Sequence, residues 1–413
     1  MEYIQRLSRT PTKKYACKDR FMPEAYSSIY KKISITPDKN MYRRLSRVSN
    51  GFTEGDRMNS PRASMCGGLQ QTDPMSPVRR KTSIQSSSVQ TTTSGNRRLP
   101  TNPNHVVKLN NIPSDFYISP LDWSRNNIIA FATIDKVLFF NPKTMESHEP
   151  KNICKDVISL KFNNRGDKLF LGCLEGEIML YDMKVNQVYY ENDLFKCSVL
   201  SIDWRNNTII TGGRDGNMAL IDIREEEPAI QIKNAHLEEI CSVKLQPETS
   251  LFATCGNDCV VKIWDQRRFD EPLTKYSEHE AAIRAVDWCP TSKNIIATGG
   301  GTADKTIKMW DINTGNTIKS IDTGSQVCNL YWNSEYDEIF TTHGYSQNHL
   351  AIWKGSDLSP VASFHNHKQR ILYMCHSPDE TTVATAAPDD SLQIWKMFPQ
   401  KNVPISQSLL FLR

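Results

Sequence analysis

Short apolar runs alternate with turn residues from Val106 to Met397, and within many runs apolar and polar side chains alternate as well. This pattern is typical of short, partly buried β-strands. The strand groups recur at intervals of about 40 to 46 residues, a spacing typical of the blades of a β-propeller. The seven groups end at Phe140, Tyr181, Ile221, Trp264, Trp310, Trp353 and Trp395. The sequence therefore predicts an all-β, seven-bladed propeller.

The last group, His367–Met397, contains only three predicted strands, whereas a full blade has four. A ring left open at this point would expose an unpaired sheet edge. The extended segment His105–Leu109, at the start of the alternating region, is able to supply the missing outer strand. We therefore predict that it pairs with blade seven and closes the ring, which would place Lys108 in the cleft between blades one and seven.

Residues 1–104 lack this alternation and are rich in Ser, Thr, Pro and basic residues, a composition that predicts a long disordered N-terminal tail. We place the propeller at 105–398 and a C-terminal tail at 399–413. Residues 1–105 carry 19 Lys and Arg against 7 Asp and Glu, whereas the rest of the chain carries 31 against 39. The basic residues are scattered without interleaved aromatic side chains, which disfavours nucleic acid as a partner and favours a solvated, regulated arm.

Three sites in the tail combine a Ser/Thr-Pro pair with a basic residue two positions after the proline. They are Thr10, Thr36 and Ser76. This pattern suits proline-directed kinases of the cyclin-dependent type, so such a kinase is a candidate partner of the tail. A phosphate there would offset part of the positive charge and change how the segment docks.

The chain has 11 cysteines but no CxxC pair, and several cysteines fall at strand positions where a small apolar side chain packs well. Zinc would need paired ligands at tighter spacing, so we expect reduced thiols and neither a metal nor a cofactor. The N-terminus has no apolar signal core, and no apolar run approaches membrane length. We therefore expect a soluble protein of the cytoplasm, the nucleus or both.

Blade five carries His279, Thr298 and Asp304, a hydroxyl, an imidazole and a carboxylate that together suggest a hydrolase. The same set recurs at the repeat period, as His236, Thr254 and Asp258 in blade four and as His367, Thr385 and Asp389 in blade seven. Each set precedes a Trp whose indole N–H needs an acceptor. A repeated network of this kind predicts buried hydrogen bonds that lock the strands of each blade, not a catalytic site. The sequence predicts no enzyme.

Four loop sequences are more specific than general repeat patterns. They are Ala285–Pro290, Ala297–Asp304, Asp322–Asn329 and His343–Asn348. They resemble the Fizzy family, the WD-repeat activators of the anaphase-promoting complex/cyclosome, which is a ubiquitin ligase. Asp115–Tyr117, followed by Leu121–Ser124, is similar to the family's entry into blade one. The resemblance implies a WD-repeat propeller that acts as a non-catalytic adaptor of the ligase.

Two terminal motifs fit the same family. Residues 19–25 resemble the C-box, which docks the activator on the ligase, although Ala25 stands where the family has a basic residue. The final Leu-Arg pair resembles the Ile-Arg tail that ends family members, and a terminal guanidinium and carboxylate are groups that a partner protein can bind. The implied docking residues are Asp19, Arg20, Phe21, Met22, Pro23, Leu412 and Arg413.

The resemblance also implies two sites for degrons, the short peptides that mark substrates for degradation. The site for the KEN degron maps to Asn257, Thr302, Gln326 and Arg370, with Cys259 replacing one asparagine of the family. We expect Arg370 to pair with the degron glutamate. The site for the destruction box maps to the cleft between blades one and seven.

In that cleft Asp390 retains one acidic residue of the family, but Lys108 replaces the other. A cation beside the arginine of a destruction box is repulsive. The implied function is recruitment of degron-bearing substrates such as cyclins. The alternative is a diverged scaffold or inhibitor that no longer activates the ligase, favoured by Ala25 and Lys108. These departures suggest a specialised or fast-diverging branch, similar to the meiotic, Cortex-like activators of insects.

Overall fold

The computed structural model describes residues 99–153, 156–224 and 229–399. These residues form 28 strands in seven four-stranded antiparallel sheets, and no helix. The inner strands of successive sheets contact one another all the way round, and the first sheet contacts the seventh. The described residues therefore form a closed seven-bladed propeller, which confirms the predicted fold. They contain no helix long and apolar enough to cross a bilayer.

The strands of each blade are given from the inner strand outward. Blade one contains β2 (Leu121–Trp123), β3 (Ile129–Ala132), β4 (Val137–Asn141) and β5 (Glu146–His148). Blade two contains β6 (Val157–Phe162), β7 (Lys168–Cys173), β8 (Glu177–Asp182) and β9 (Gln187–Asp193). Blade three contains β10 (Val199–Arg205), β11 (Thr208–Gly213), β12 (Asn217–Asp222) and β13 (Ala229–Asn234).

Blade four contains β14 (Ile240–Leu245), β15 (Leu251–Gly256), β16 (Val261–Asp265) and β17 (Thr274–Tyr276). Blade five contains β18 (Ile283–Trp288), β19 (Ile295–Gly300), β20 (Thr306–Asp311) and β21 (Thr317–Asp322). Blade six contains β22 (Val327–Asn333), β23 (Glu338–His343), β24 (Leu350–Lys354) and β25 (Pro360–Phe364). Blade seven contains β26 (Tyr373–His376), β27 (Thr382–Ala387), β28 (Ser391–Lys396) and β1 (His105–Lys108).

The ring is closed by β1, the first strand of the chain, which pairs antiparallel with β28 of blade seven. Val106 lies opposite Gln393, and Lys108 lies opposite Ser391. The predicted closing strand is therefore confirmed. Because the first and last strands share one sheet, the ring cannot open without breaking backbone hydrogen bonds between them.

The core lies between the blades. Large side chains of the middle strands, such as Trp264, Trp310 and Trp395, are fully buried there. The inner strands are short and surround a central channel. All of them run in the same direction, from the end of the ring that we call the upper end to the lower end. The loops before the inner strands, and those between the second and third strands of each blade, therefore meet at the upper end.

Candidate functional site

The predicted hydrogen-bond networks are present in blades four, five and seven. In blade five, His279 Nδ1 donates to Asp304 at 2.5 Å, the Thr298 hydroxyl donates to His279 Nε2 at 2.8 Å, and Trp310 Nε1 donates to the Thr298 oxygen at 2.7 Å. The sets in the other two blades make the same bonds. The hydroxyl of each set has no exposed surface, so no substrate reaches it. The geometry supports a structural role.

Blade six contains a related network that sequence reasoning missed. Trp353 Nε1 donates to Thr341 at 2.7 Å, and the Thr341 hydroxyl lies 2.7 Å from His343 Nε2. Here the histidine comes from the same strand as the threonine, so the spacing of the other blades does not reveal it. His343 stacks on His349 with ring centroids 4.2 Å apart, and His349 stacks on His365 at 5.1 Å. Burial lowers the pKa of His349 to about 4.

The four residues that the resemblance assigns to the KEN site all lie at the upper end of the ring. Asn257 directly follows β15, and Thr302 lies in the turn after β19. Gln326 directly precedes β22, and Arg370 lies three residues before β26. The fold therefore places side chains from four neighbouring blades on one face, which we call the upper rim.

Arg370 and Gln326 lie against the same loop. Arg370 Nη2 donates to the backbone oxygen and the hydroxyl of Ser114, at 3.2 and 3.3 Å, and its guanidinium lies 4.7 Å from the ring centre of Tyr345. The backbone N–H of Gln326 donates to the backbone oxygen of Tyr345 at 2.7 Å. The backbone oxygen of Gln326 accepts from the N–H of Gly344. Arg370 is 3% exposed and Gln326 is fully buried, whereas Tyr345 is 45% exposed. Tyr345 thus lies between this pair and solvent.

One nitrogen of Arg370, Nη1, is buried and has no hydrogen-bond partner in the described part of the chain. A buried cationic donor of this kind is costly unless an acceptor reaches it. Within the described residues, the guanidinium of Arg370 therefore keeps one buried hydrogen-bonding position unfilled.

Asn257 lies on the other side of the rim. Its amide nitrogen donates to Glu238 at 2.6 Å and to Glu239 at 2.9 Å, and its amide oxygen accepts from the Tyr117 hydroxyl at 3.2 Å. Tyr117 belongs to Pro113–Ile118, a segment before blade one that we call the cap segment. Ser114, the partner of Arg370, belongs to it as well. The cap segment therefore links the two sides of the rim, a connection that local sequence patterns do not reveal.

Cys259, which replaces an asparagine of the family, lies two residues after Asn257 in the same turn. Its backbone has φ of 62°, in the left-handed region that asparagine tolerates better than most residues. Its thiol lies 3.6 Å from the backbone oxygen of Asn257. The replacement thus lies at the rim and keeps the turn conformation.

The second predicted site lies where blade seven meets blade one. Lys108 ends β1, and the backbone oxygen of Asp390 accepts from the N–H of Leu109 at 3.0 Å, so the two predicted residues are neighbours. Lys108 also lines a cleft of about 640 Å³ with Asp135 and Glu149 of blade one. Sequence reasoning missed these two carboxylates because each comes from a different turn. Lys136 forms an ion pair with Glu149, so the cleft mixes both signs of charge.

The terminal residues predicted to dock on the ligase, and the predicted phosphorylation sites, lie outside the described residues. They are Asp19, Arg20, Phe21, Met22, Pro23, Leu412 and Arg413 for docking, and Thr10, Thr36 and Ser76 for phosphorylation. Among the described residues, no group of three or more His, Cys, Asp or Glu side chains is arranged to hold a metal ion.

Residues 108–395 match the family model described as the CDC20/Fizzy WD40 domain. The chain belongs to the CDC20/Fizzy family. WD repeat-containing protein srw1 of Schizosaccharomyces pombe is 31% identical over 383 residues, which cover 91% of this chain and 67% of srw1. "Cell division cycle 20.5, cofactor of APC complex" of Arabidopsis thaliana is 35% identical over 312 residues, 73% of this chain and 69% of that protein.

A solved structure has a similar fold. A chain in the crystal structure of a mitotic checkpoint complex superposes with a TM-score of 0.70 and 31% sequence identity, covering 78% of this chain and 99% of that chain. The predicted family membership is therefore confirmed.

Proposed function

We propose that this chain is a substrate-recruiting activator of the anaphase-promoting complex/cyclosome. The proposal is supported by family membership, since CDC20/Fizzy relatives carry names such as "cofactor of APC complex". In this proposal the propeller is a non-catalytic adaptor that binds the degrons of substrates such as cyclins. The terminal motifs, above all Arg20 and Arg413, bind the ligase and hold substrate and ligase together.

The observation that carries the proposal is the buried guanidinium of Arg370 with its unpartnered Nη1. The glutamate of a KEN degron supplies the acceptor that this nitrogen lacks, and a charge-assisted bond of this kind is stronger than a neutral one. Tyr345 covers the guanidinium, so the entering carboxylate displaces the ring. Asn257, Thr302 and Gln326 supply amide and hydroxyl groups for the flanking lysine and asparagine of the degron.

Binding of a KEN peptide to the full chain, measured by isothermal titration calorimetry, tests this pairing in a double-mutant cycle. Arg370→Ala should raise the Kd of the KEN peptide by about 10- to 100-fold, the range for a buried charge pair. A KEN peptide with glutamine in place of its glutamate should bind with a higher Kd, and Arg370→Ala should leave that Kd nearly unchanged. Arg267→Ala, which removes an exposed arginine paired with Asp265, is the matched control. Additive effects of the two changes would refute the pairing.

The cleft between blades one and seven is proposed as the destruction-box site, with altered specificity. Lys108 repels the degron arginine, whereas Asp135 and Glu149 in the same cleft attract it, as does Asp390, which lines a second cleft with Lys108. We therefore propose weak binding of ordinary destruction boxes, and recruitment of substrates mainly through the upper rim.

A second function, that of a scaffold or inhibitor of the ligase, is favoured by Lys108 in this cleft and by Ala25 in the C-box-like motif. The two functions differ in a reconstituted ubiquitination reaction, because an inhibitor adds no product. Capture of ligase subunits by the full chain tests docking separately. Arg20→Ala or deletion of Arg413 should abolish capture, and retention in both variants would contradict docking through the termini.

Further parts of the proposal concern regulation. Phosphorylation of Thr10, Thr36 or Ser76 by a cyclin-dependent kinase would reduce the positive charge of the N-terminal region and weaken its docking. We also propose that the protein acts in the cytoplasm, the nucleus or both. The replacements at Lys108 and Cys259 favour a specialised, meiotic role. Mass spectrometry of the protein isolated from dividing and meiotic cells, which identifies phosphorylated sites, tests this regulation.

A further inference from the structure

Arg284 lies on β18, the inner strand of blade five, and reaches across the central channel. It is 5% exposed. Its Nη1 donates to the backbone oxygens of Cys328, at 2.9 Å, and Leu372, at 2.7 Å. Its Nη2 donates to the oxygen of Ile118 at 2.6 Å. These oxygens belong to blade six and to the segments that lead into blades seven and one, so one side chain joins four consecutive blades.

The charge of Arg284 is not paired with a carboxylate anywhere in the described ranges. Three backbone oxygens surround it instead, together with the ring faces of Phe116, at 5.9 Å, and Tyr373, at 5.5 Å. Burial lowers the pKa of the guanidinium, but an arginine stays protonated in proteins. A buried cation without a paired anion is costly, so the bonds that it makes in return must matter to the molecule.

Two of the three bonds hold segments that carry rim residues. Leu372 lies two positions after Arg370, and Cys328 lies two positions after Gln326. The Arg284 guanidinium therefore fixes the backbone directly beneath both side chains. Because a planar guanidinium donates along fixed directions, it holds these two segments at one mutual distance and angle.

The third bond holds the cap segment. Ile118 ends this segment and directly follows Tyr117, which donates to Asn257 across the rim. The cap segment is also held by the Tyr373 hydroxyl, which donates to the backbone oxygens of Pro113, at 3.0 Å, and Asp115, at 2.8 Å. Arg284 thus bonds to backbone two residues from Arg370 and from Gln326, and to the residue next to Tyr117, which donates to Asn257.

We propose that Arg284 is a positioning residue for degron recognition: it sets the spacing of Arg370, Gln326 and Asn257 from beneath the rim. The inference rests on the proposed function, because it assigns to Arg284 the arrangement of that same site. In this proposal the rim residues contact the peptide, and Arg284 holds them at the correct spacing without contacting the peptide itself. A loss of register at a site of this kind weakens binding without removing any contact group.

Arg284→Lys in the full chain tests the proposal. Lysine keeps the charge but loses the planar fork, so it cannot satisfy all three oxygens in the same geometry. Arg205→Lys is the matched control, because Arg205 also donates through Nη1 to the backbone oxygen of the next blade, that of Gln246, but at the lower end of the ring. The measurements are the Kd of a KEN peptide by calorimetry and backbone amide exchange by mass spectrometry.

We expect Arg284→Lys to raise the Kd about tenfold and to speed exchange in the cap segment and in residues 370–373. Arg205→Lys should change neither. Unchanged Kd and exchange in Arg284→Lys, or equal losses in both variants, would overturn the positioning role while leaving the proposed function intact. If the wild-type chain binds no KEN peptide, the proposed function fails instead, and the exchange data alone decide whether Arg284 orders the rim. Should circular dichroism show that Arg284→Lys does not fold, the neutral Arg284→Gln variant takes its place.

Discussion

The buried threonine of blade five gives the sharpest test of the networks that hold the propeller together. Thr298→Val keeps the volume of the side chain but removes its hydroxyl. Two buried groups then lose a partner: the Nε2 acceptor of His279 and the Nε1 donor of Trp310. Leaving a buried polar group without a partner costs about 1–3 kcal/mol. The two losses together predict that the free energy of unfolding falls by roughly 2–6 kcal/mol.

The chain offers a matched control in the neighbouring blade. Thr342 on β23 is also fully buried, but its hydroxyl has no hydrogen-bond partner within the described residues. Thr342→Val should therefore leave the free energy of unfolding unchanged, or raise it by about 1 kcal/mol, because it removes a polar group that is already unsatisfied. Urea denaturation followed by far-ultraviolet circular dichroism measures both variants. Equal stability of Thr298→Val and Thr342→Val would refute the structural role of the network.

Three further predictions follow from the geometry of blades six and seven. The unfolded chain protonates His349 near its ordinary pKa of 6.5, whereas burial keeps the folded protein from doing so until about pH 4. The free energy of unfolding should therefore fall by about 3 kcal/mol as pH drops through this window, and denaturation of His349→Gln should show a shallower fall; equal slopes would contradict this. Gly344→Ala places a methyl group against the Gln326 amide and should raise the Kd of a KEN peptide about tenfold in calorimetry, and an unchanged Kd would exclude Gln326 from the site. Lys108→Asp should lower the Kd of a destruction-box peptide by roughly two- to tenfold, the size of exposed charge effects, and weaker binding would refute the assignment of that cleft.

The parts of the fold that sequence predicts correctly are those that repeat. Seven strand groups at one spacing predict seven blades, and a blade with three strands predicts that a distant segment completes it, as β1 does beside β28. The networks of blades four, five and seven are predictable for the same reason, because their members keep fixed separations. Blade six departs from these separations, because His343 lies two residues after Thr341 on the same strand. The spacing of the other blades therefore does not predict this network.

The contacts that sequence does not predict are long-range and do not repeat. The cap segment has no regular pattern, yet it meets Arg284, Arg370, Tyr373 and Asn257 from separate blades. Asp135 and Glu149 reach the blade-one cleft from turns that no motif marks. Such contacts depend on how the ring closes, which is a property of the whole chain. The family resemblance locates the rim residues, and the structure adds the bonds that connect them.

A reconstituted ubiquitination reaction shows whether the chain activates the ligase through Arg370 of the upper rim. Purified ligase and a substrate whose only degron is a KEN motif are combined with the wild-type chain, with Arg370→Ala, or with no activator. We expect the wild-type chain to add ubiquitinated product and Arg370→Ala to bring the reaction most of the way back to the level without activator. No increase with the wild-type chain, or an equal increase with both proteins, would contradict it.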